Sequence, residues 1–127
     1  MWPELSQDDL AKDQEEILRD PDRNSVIVAS TAGTIVGFVE VSLRDWAEGC
    51  STRPVGYIEA WYVEPEQRRS KIGRRLIEAA ERWAASRGCV EMGSDAELPN
   101  EVSQAAHRAV GYSEVLRSVS FARKLKP

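Results

Sequence analysis

Residues 57–76 read YIEAWYVEPEQRRSKIGRRL and combine three kinds of local structure. They begin with β-branched and aromatic residues, which favour a strand, and Pro65 stops that strand. A short basic turn follows, and an amphipathic helix begins near Ile72 with Gly73 in its first turn. A helix N-terminus presents backbone N–H groups and a partial positive charge. Together with the neighbouring arginines, this pattern predicts a phosphate site.

Other interpretations of the basic turn remain open at this point. The same residues fit a solvated basic start of a helix. A P-loop is disfavoured because no Gly-Lys-Ser/Thr triplet ends the turn, and a dinucleotide fingerprint is disfavoured because its three glycines are missing.

The turn also resembles a known motif. It is similar to the pyrophosphate-binding motif of the GNAT superfamily of N-acetyltransferases, written Gln/Arg-x-x-Gly-x-Gly/Ala. The match begins at Arg68, and Gly73 stands at the second glycine. Lys71 replaces the first glycine, which is a departure from the family pattern.

One branch of this superfamily, the aminoglycoside 6'-N-acetyltransferases, resembles nearly the whole chain, most densely over residues 49–112. The residues that carry this resemblance are Trp2, Pro3, Gly49, Cys50, Ser94, Asp95, Ala96, Asn100, Ser103, His107, Gly111 and Tyr112. The resemblance implies transfer of an acetyl group from acetyl-CoA to a primary amine, most directly the 6'-amino group of aminoglycoside antibiotics, which gives resistance.

Composition limits the possibilities further. A chain of 127 residues predicts a single domain, 1–127. The net charge of −4 argues against nucleic acid as a partner and suits a cationic small-molecule substrate. Cys50 and Cys89 lack metal-ligand spacing, so no metal is expected. The chain shows neither a signal peptide nor a long apolar run, which predicts a cytoplasmic protein without a membrane partner.

Local patterns predict the order of the elements. A helix is expected over 7–19, two strands over 26–29 and 34–43 that form a hairpin, a third strand over 55–63 and a helix over 72–86.

The chain after this helix predicts three more elements. They are a short strand over 89–95, a helix over 100–110 and a final strand region over 112–125. Strand, helix and strand in succession predict a parallel crossover. The fold class is therefore α/β.

The GNAT resemblance makes that class more specific. It implies a mixed, mostly antiparallel sheet with a central splayed parallel strand pair and flanking helices. Family members begin with a strand and a helix before the Trp-Pro pair that stands here at Trp2 and Pro3. The resemblance therefore implies a shortened N-terminus, by about 20 residues, more than loop-length variation explains.

The resemblance also implies where acetyl-CoA binds. Its pyrophosphate would lie on the backbone amides of the basic turn, and its pantetheine arm along the strand that leads into it. The predicted cofactor-binding residues are Trp61, Tyr62, Val63, Arg69, Ser70, Lys71, Ile72, Gly73, Arg74 and Asn100. Trp61 and Tyr62 equally fit strand packing, and Asn100 equally fits a helix N-cap.

For the acceptor, the resemblance places acids and aromatic residues at the mouth of the cleft. Asp95 is the predicted catalytic proton acceptor, and the predicted substrate-binding residues are Trp2, Trp46, Glu59 and Asp95. Asp95 also fits a turn, Glu59 a structural salt bridge and Trp46 a loop anchor. His107 stands where many family members place a tyrosine acid, and it equally fits a buried or capping histidine.

Two other functions remain compatible with the sequence. The first is acetyl transfer to a different acceptor, namely a polyamine, a metabolite amine or a protein amine. The second is a non-catalytic acyl-CoA-binding domain. Family members commonly dimerise, so a homodimer is expected, with the segment 115–125 as an interface element.

Overall fold

The computed structural model describes residues 23–68 and 70–126. Trp2, Arg69 and the helix expected over 7–19 lie outside the described residues. The chain divides into two compact units, Met1–Asp95 and Ala96–Pro127.

The first unit contains a sheet of four described strands in the order β1-β2-β3-β4. The strands are β1 (Asn24–Thr31), β2 (Thr34–Arg44), β3 (Val55–Val63) and β4 (Met92–Ser94). The first three pair antiparallel, and β4 is parallel to β3. This confirms the predicted α/β class with a mixed, mostly antiparallel sheet, in which β1 and β4 are the outer described strands.

A two-residue turn joins β1 to β2, as the sequence predicts. Thr31 pairs with Thr34, so Ala32 and Gly33 form the loop. Both have positive φ angles, 51° and 81°. This is the backbone that a type I′ hairpin turn requires, and its twist matches that of the flanking strands.

Helix α1 (Ile72–Ser86) lies where the hydrophobic periodicity predicts it. Its apolar face packs on the sheet, with contacts to β1, β2 and β3. The buried helical residues are Ile72, Leu76, Ile77, Ala79, Ala80 and Ala84. Trp83 continues the same helical periodicity but is only partly buried, and its ring lies under the guanidinium of Arg87, at 4.3 Å.

The pairing of β3 with its neighbours changes near its middle. Glu40 pairs with Ala60 and Val41 with Ile58, so Glu59 is an extra residue, a β-bulge. The parallel ladder with β4 ends at Ile58 and Ser94, although β3 continues to Val63. Bulges bend a strand and redirect side chains, and they are frequent beside functional sites.

The second unit contains helix α2 (Glu101–Ala109), close to the predicted 100–110. The strand region predicted over 112–125 was wrong, because residues 113–126 have no regular secondary structure. The reason is the lack of a partner, since within the described residues no strand pairs with this segment. Val119 and Phe121 are 70% and 92% exposed, so the apolar alternation that suggests a strand here covers no core.

Candidate functional site

Two carboxylates, Glu59 and Asp95, lie where the β3–β4 ladder ends. Glu59 occupies the bulge in β3, and Asp95 follows β4 directly. One chain of side-chain contacts connects them. The Tyr57 hydroxyl donates to Asp95 Oδ2 at 2.7 Å, and the Arg44 guanidinium lies 3.6 Å from the centre of the Tyr57 ring. Arg44 also binds Glu59.

Glu59 forms an ion pair with an arginine and accepts a hydrogen bond from a hydroxyl. Arg44 donates from Nε to Oε2 at 2.8 Å and from Nη2 to Oε1 at 2.7 Å, and Ser42 Oγ donates to Oε2 at 2.5 Å. Burial acts to raise the pKa of Glu59, but the hydrogen bonds from Arg44 and Ser42 outweigh it and hold the pKa below its usual value. The ion pair that the sequence left open for Glu59 is therefore present.

Tyr57 has a buried ring in a small apolar cluster with Ala47 and Val55. The backbone of Gly93 approaches the ring closely, because a Cβ built at Gly93 would lie 3.0 Å from Tyr57 Cδ1 and 3.1 Å from Ala47 Cβ. Burial first, and then the hydrogen bond to Asp95, raise the pKa of the Tyr57 hydroxyl. The hydroxyl therefore keeps its proton and acts as a hydrogen-bond donor.

The loop over residues 45–54 is held in place by one buried alanine and by a carboxylate. Ala47 is only 3% exposed, whereas Trp46 beside it is 65% exposed. Glu91 accepts from the backbone N–H groups of Ser51 and Thr52, at 2.9 and 2.7 Å, and also from the Thr52 hydroxyl. Trp46 is thus not the residue that anchors the loop, and its indole is open to solvent.

The basic turn begins with a short 3-10 helix, Pro65–Gln67. Arg68 Nε donates to the carbonyl of Val63 at 2.8 Å, and its guanidinium lies 5.5 Å from the centre of the Tyr62 ring. Ser70 donates from its hydroxyl to the carbonyl of Gln67 at 2.5 Å. Arg68 and Ser70 therefore hold the turn against the end of β3.

At the start of helix α1, the N–H of Ile72 donates to the Ser70 hydroxyl at 3.4 Å. Lys71 is the N-cap and makes no capping hydrogen bond, and the N–H of Arg75 donates to the Lys71 carbonyl at 3.0 Å. The preceding N–H groups of such a helix have no partner carbonyl within it. They point out of the helix end together with its positive dipole, which is the geometry of an anion site.

Gly73 has a packing role that the sequence did not indicate. A Cβ at this position would lie 3.2 Å from Trp61 Cζ2 and 3.6 Å from Val63 Cγ2. The glycine therefore lets the first turn of α1 lie directly against the Trp61 ring. Three of the predicted cofactor residues, Trp61, Val63 and Gly73, therefore lie side by side.

Asn100 and His107 belong to the second unit. Asn100 Oδ1 accepts from the N–H of Ser103 at 2.9 Å, so the predicted N-cap is present. His107 Nδ1 lies 2.7 Å from the Ser103 carbonyl, which only accepts, so Nδ1 carries the hydrogen. This contact ties the ring to the preceding turn of its own helix.

Sequence reasoning missed three residues of the carboxylate cluster, namely Ser42, Arg44 and Tyr57. Strand periodicity carries a signal for one of them, because Tyr57 and Glu59 are two residues apart in one strand. The other two depend on the antiparallel register, in which Ser42 pairs with Tyr57 and Arg44 with Val55.

Two general features of the described part of the chain bear on the chemistry. Residues 23–68 and 70–126 contain no group of three or more His, Cys, Asp or Glu side chains that could hold a metal ion. They also contain no helix long and apolar enough to cross a bilayer.

Comparisons with known proteins place this geometry in context. The model of the acetyltransferase (GNAT) family matches residues 1–112. An aminoglycoside N(6')-acetyltransferase type 1 from Stenotrophomonas maltophilia is 37% identical, over 100% of this chain and 82% of the relative. A protein of the same name from Klebsiella aerogenes is 42% identical, over 79% of this chain and 66% of the relative.

Solved structures show the same similarity. The aminoglycoside N-acetyltransferase AAC(6')-Iy in complex with CoA superposes with a TM-score of 0.80 at 35% identity, over 87% of this chain and 83% of that one. AAC(6')-Iy with the bisubstrate analogue CoA-S-monomethyl-acetylneamine also gives 0.80, at 34% identity, over 98% of this chain and 84% of that one.

Proposed function

This chain belongs to the GNAT acetyltransferase family, and from that premise we propose that it acetylates the 6'-amino group of aminoglycosides with acetyl-CoA as donor. One structural feature supports this most strongly. Glu59 on β3 and Asp95 directly after β4 stand where the two strands part, and β3 leads on to the turn before α1. This arrangement supports a donor site and an acceptor site that share β3.

The donor site consists of β3 and the first turn of α1. The pyrophosphate is proposed to bind the backbone N–H groups at the helix start, with the basic side chains around it adding charge-assisted hydrogen bonds. The residues proposed for acetyl-CoA in this region are Trp61, Tyr62, Val63, Arg69, Ser70, Lys71, Ile72, Gly73 and Arg74. Asn100 keeps its proposed role on the basis of the resemblance alone. The close packing of Gly73 on Trp61 supports a rigid helix start beside the strand.

The acceptor reaches the site as an ammonium ion, which is not a nucleophile. Asp95 is exposed and carries a carboxylate, so we assign it the role of accepting one ammonium proton. The neutral amine then attacks the thioester carbonyl, its nitrogen forms the amide bond and the carbon–sulfur bond breaks. A backbone N–H of β3 is proposed to hold the oxyanion, and the CoA thiolate leaves and takes up the second proton that the attacking nitrogen loses as the amide forms.

Trp46 and Glu59 are proposed to contact the antibiotic. The exposed indole of Trp46 offers a flat face to a sugar ring or its ammonium groups. Trp2 keeps the same proposed role on the basis of the resemblance. The net charge of −4 favours the approach of a polycation.

We also propose that the chain forms a homodimer and acts in the cytoplasm. The support for dimerisation is the apolar surface of residues 113–126. Val115, Val119 and Phe121 are 61%, 70% and 92% exposed. Burial of such side chains against a second copy would be favourable at roughly 25 cal/mol per Å² of apolar surface.

Release of free CoA thiol tests the proposed function. The chain is incubated with acetyl-CoA and kanamycin or tobramycin, and in parallel with a polyamine and a lysine-containing peptide. Thiol release above background with the aminoglycosides alone is the expected result. Release with the polyamine or the peptide instead would identify a different acceptor class, and acetyl-CoA binding without any release would indicate a non-catalytic domain.

A further inference from the structure

Asp95 is bound on one oxygen by an uncharged donor. The Tyr57 hydroxyl donates to Oδ2 at 2.7 Å, and among the described residues no other hydrogen bond to this carboxylate is found. Glu59 differs, since Arg44 and Ser42 together engage both of its oxygens. Of the two acids, Asp95 is therefore the one with an oxygen that no described side chain engages.

The Tyr57 hydroxyl is held in a fixed position. Tyr57 is 8% exposed, and the guanidinium carbon of Arg44 lies 3.6 Å from the centre of its ring. The backbone of Gly93 approaches the ring so closely that no Cβ would fit there without displacement. A tyrosine side chain has only two rotatable bonds before its ring is set, so these contacts also determine where its oxygen points.

We propose that Tyr57 is a positioning residue, whose hydroxyl binds Asp95 Oδ2 and thereby presents Oδ1 to the acceptor ammonium. This inference rests on the proposed function and adds a residue to it. One proton moves from the ammonium nitrogen to Oδ1, and the proton of Tyr57 stays on its own oxygen. Oδ2 continues to accept the tyrosine hydrogen bond before and after the transfer, so the orientation of the carboxyl group is kept throughout.

A carboxylate without this contact rotates about its Cα–Cβ and Cβ–Cγ bonds, because Asp95 is exposed and follows the last residue of a strand. Only a fraction of the carboxylate's orientations then place an oxygen next to the ammonium. Misplacement of a catalytic group lowers the rate of the chemical step while leaving the binding of the donor intact. A purely structural role of Tyr57 would instead reduce stability and donor binding together.

The test is Tyr57→Phe, which removes the hydroxyl and keeps the ring and its contacts with Arg44. Turnover is measured with an aminoglycoside at saturating acetyl-CoA, together with KM for both substrates. We expect kcat to fall by about fivefold or more, with KM for acetyl-CoA unchanged. Tyr112→Phe, which removes a hydroxyl outside the proposed machinery, is the matched control and should keep the wild-type kcat.

A double-mutant cycle with Asp95→Asn decides whether the effect acts through Asp95. In the Asp95→Asn background, Tyr57→Phe should change kcat by less than about twofold. An equal loss in both backgrounds would overturn the proposal, and so would a wild-type kcat in Tyr57→Phe. Absence of turnover in the wild-type chain would overturn the proposed function itself, and this inference with it.

Discussion

Arg44 binds Glu59 through two nitrogen–oxygen contacts, Nε to Oε2 at 2.8 Å and Nη2 to Oε1 at 2.7 Å. This two-point geometry fixes both the charge and the orientation of Glu59. Asp95 instead accepts a hydrogen bond from a neutral donor, the Tyr57 hydroxyl. The two acids of the site therefore differ in what they can do, and the difference arises from one arginine at the end of β2.

The first prediction concerns Asp95. Asp95→Asn should lower kcat/KM for the aminoglycoside by about tenfold or more, which corresponds to roughly 1.4 kcal/mol, because a charged contact and a proton acceptor are lost. The affinity for acetyl-CoA, measured by calorimetry, should not change. Glu97→Gln removes a nearby charge outside the proposed machinery and serves as the control. Wild-type turnover of Asp95→Asn would assign this residue a turn-forming role only.

The second prediction concerns pH and Glu59. Its pKa in the folded state is lowered by hydrogen bonds from Arg44 and Ser42, which exceed the opposing effect of burial. This contribution to stability is fully present above the unfolded value of about 4.3 and is lost as pH falls through the folded pKa. Glu59→Gln should therefore destabilise the protein at about pH 7 and less so at about pH 3. Urea unfolding at both pH values measures this, and an equal destabilisation at each would contradict it.

The third prediction separates charge from packing at Gly73. Both Gly73→Gln and Gly73→Glu introduce a Cβ about 3.2 Å from the Trp61 ring, so both should lower the melting temperature. Only Gly73→Glu places a negative charge at the helix start. It should weaken acetyl-CoA binding by about tenfold relative to Gly73→Gln. Equal acetyl-CoA affinities of the two variants in calorimetry would remove the assignment of this turn to phosphate.

The sequence carries local information, whereas contacts between strands depend on how the chain pairs. Helix α1 and the strands of the sheet were predictable because hydrophobic periodicity and turn residues are local signals. The proximity of Glu59 and Asp95 followed from the resemblance. The contacts of Arg44 with Glu59 and Tyr57 could not be predicted, because they depend on strand register and on a one-residue bulge. The prediction of a strand over 112–125 was wrong because apolar alternation alone does not form a strand. A strand also needs a neighbouring strand to pair with.

The fourth prediction concerns the loop that carries Trp46. Glu91 accepts hydrogen bonds from Ser51 and Thr52, and these bonds, led by the Thr52 hydroxyl, hold the pKa of Glu91 below its usual value. Glu91→Ala removes all of them and should loosen the loop. KM for the aminoglycoside should rise several-fold, while KM for acetyl-CoA stays the same. Glu78→Ala, on the exposed face of α1, is the control, and an equal rise in both KM values would show a global effect instead.

The position at which the antibiotic is acetylated tests the proposed function most directly. The product formed from acetyl-CoA and kanamycin is isolated and the modified nitrogen is located by NMR, with an aminoglycoside that carries a hydroxyl in place of the 6'-amine as the matched substrate. We expect a single acetyl group on the 6'-nitrogen and no turnover of the hydroxyl analogue. Acetylation at another amine, or equal turnover of both substrates, would contradict it.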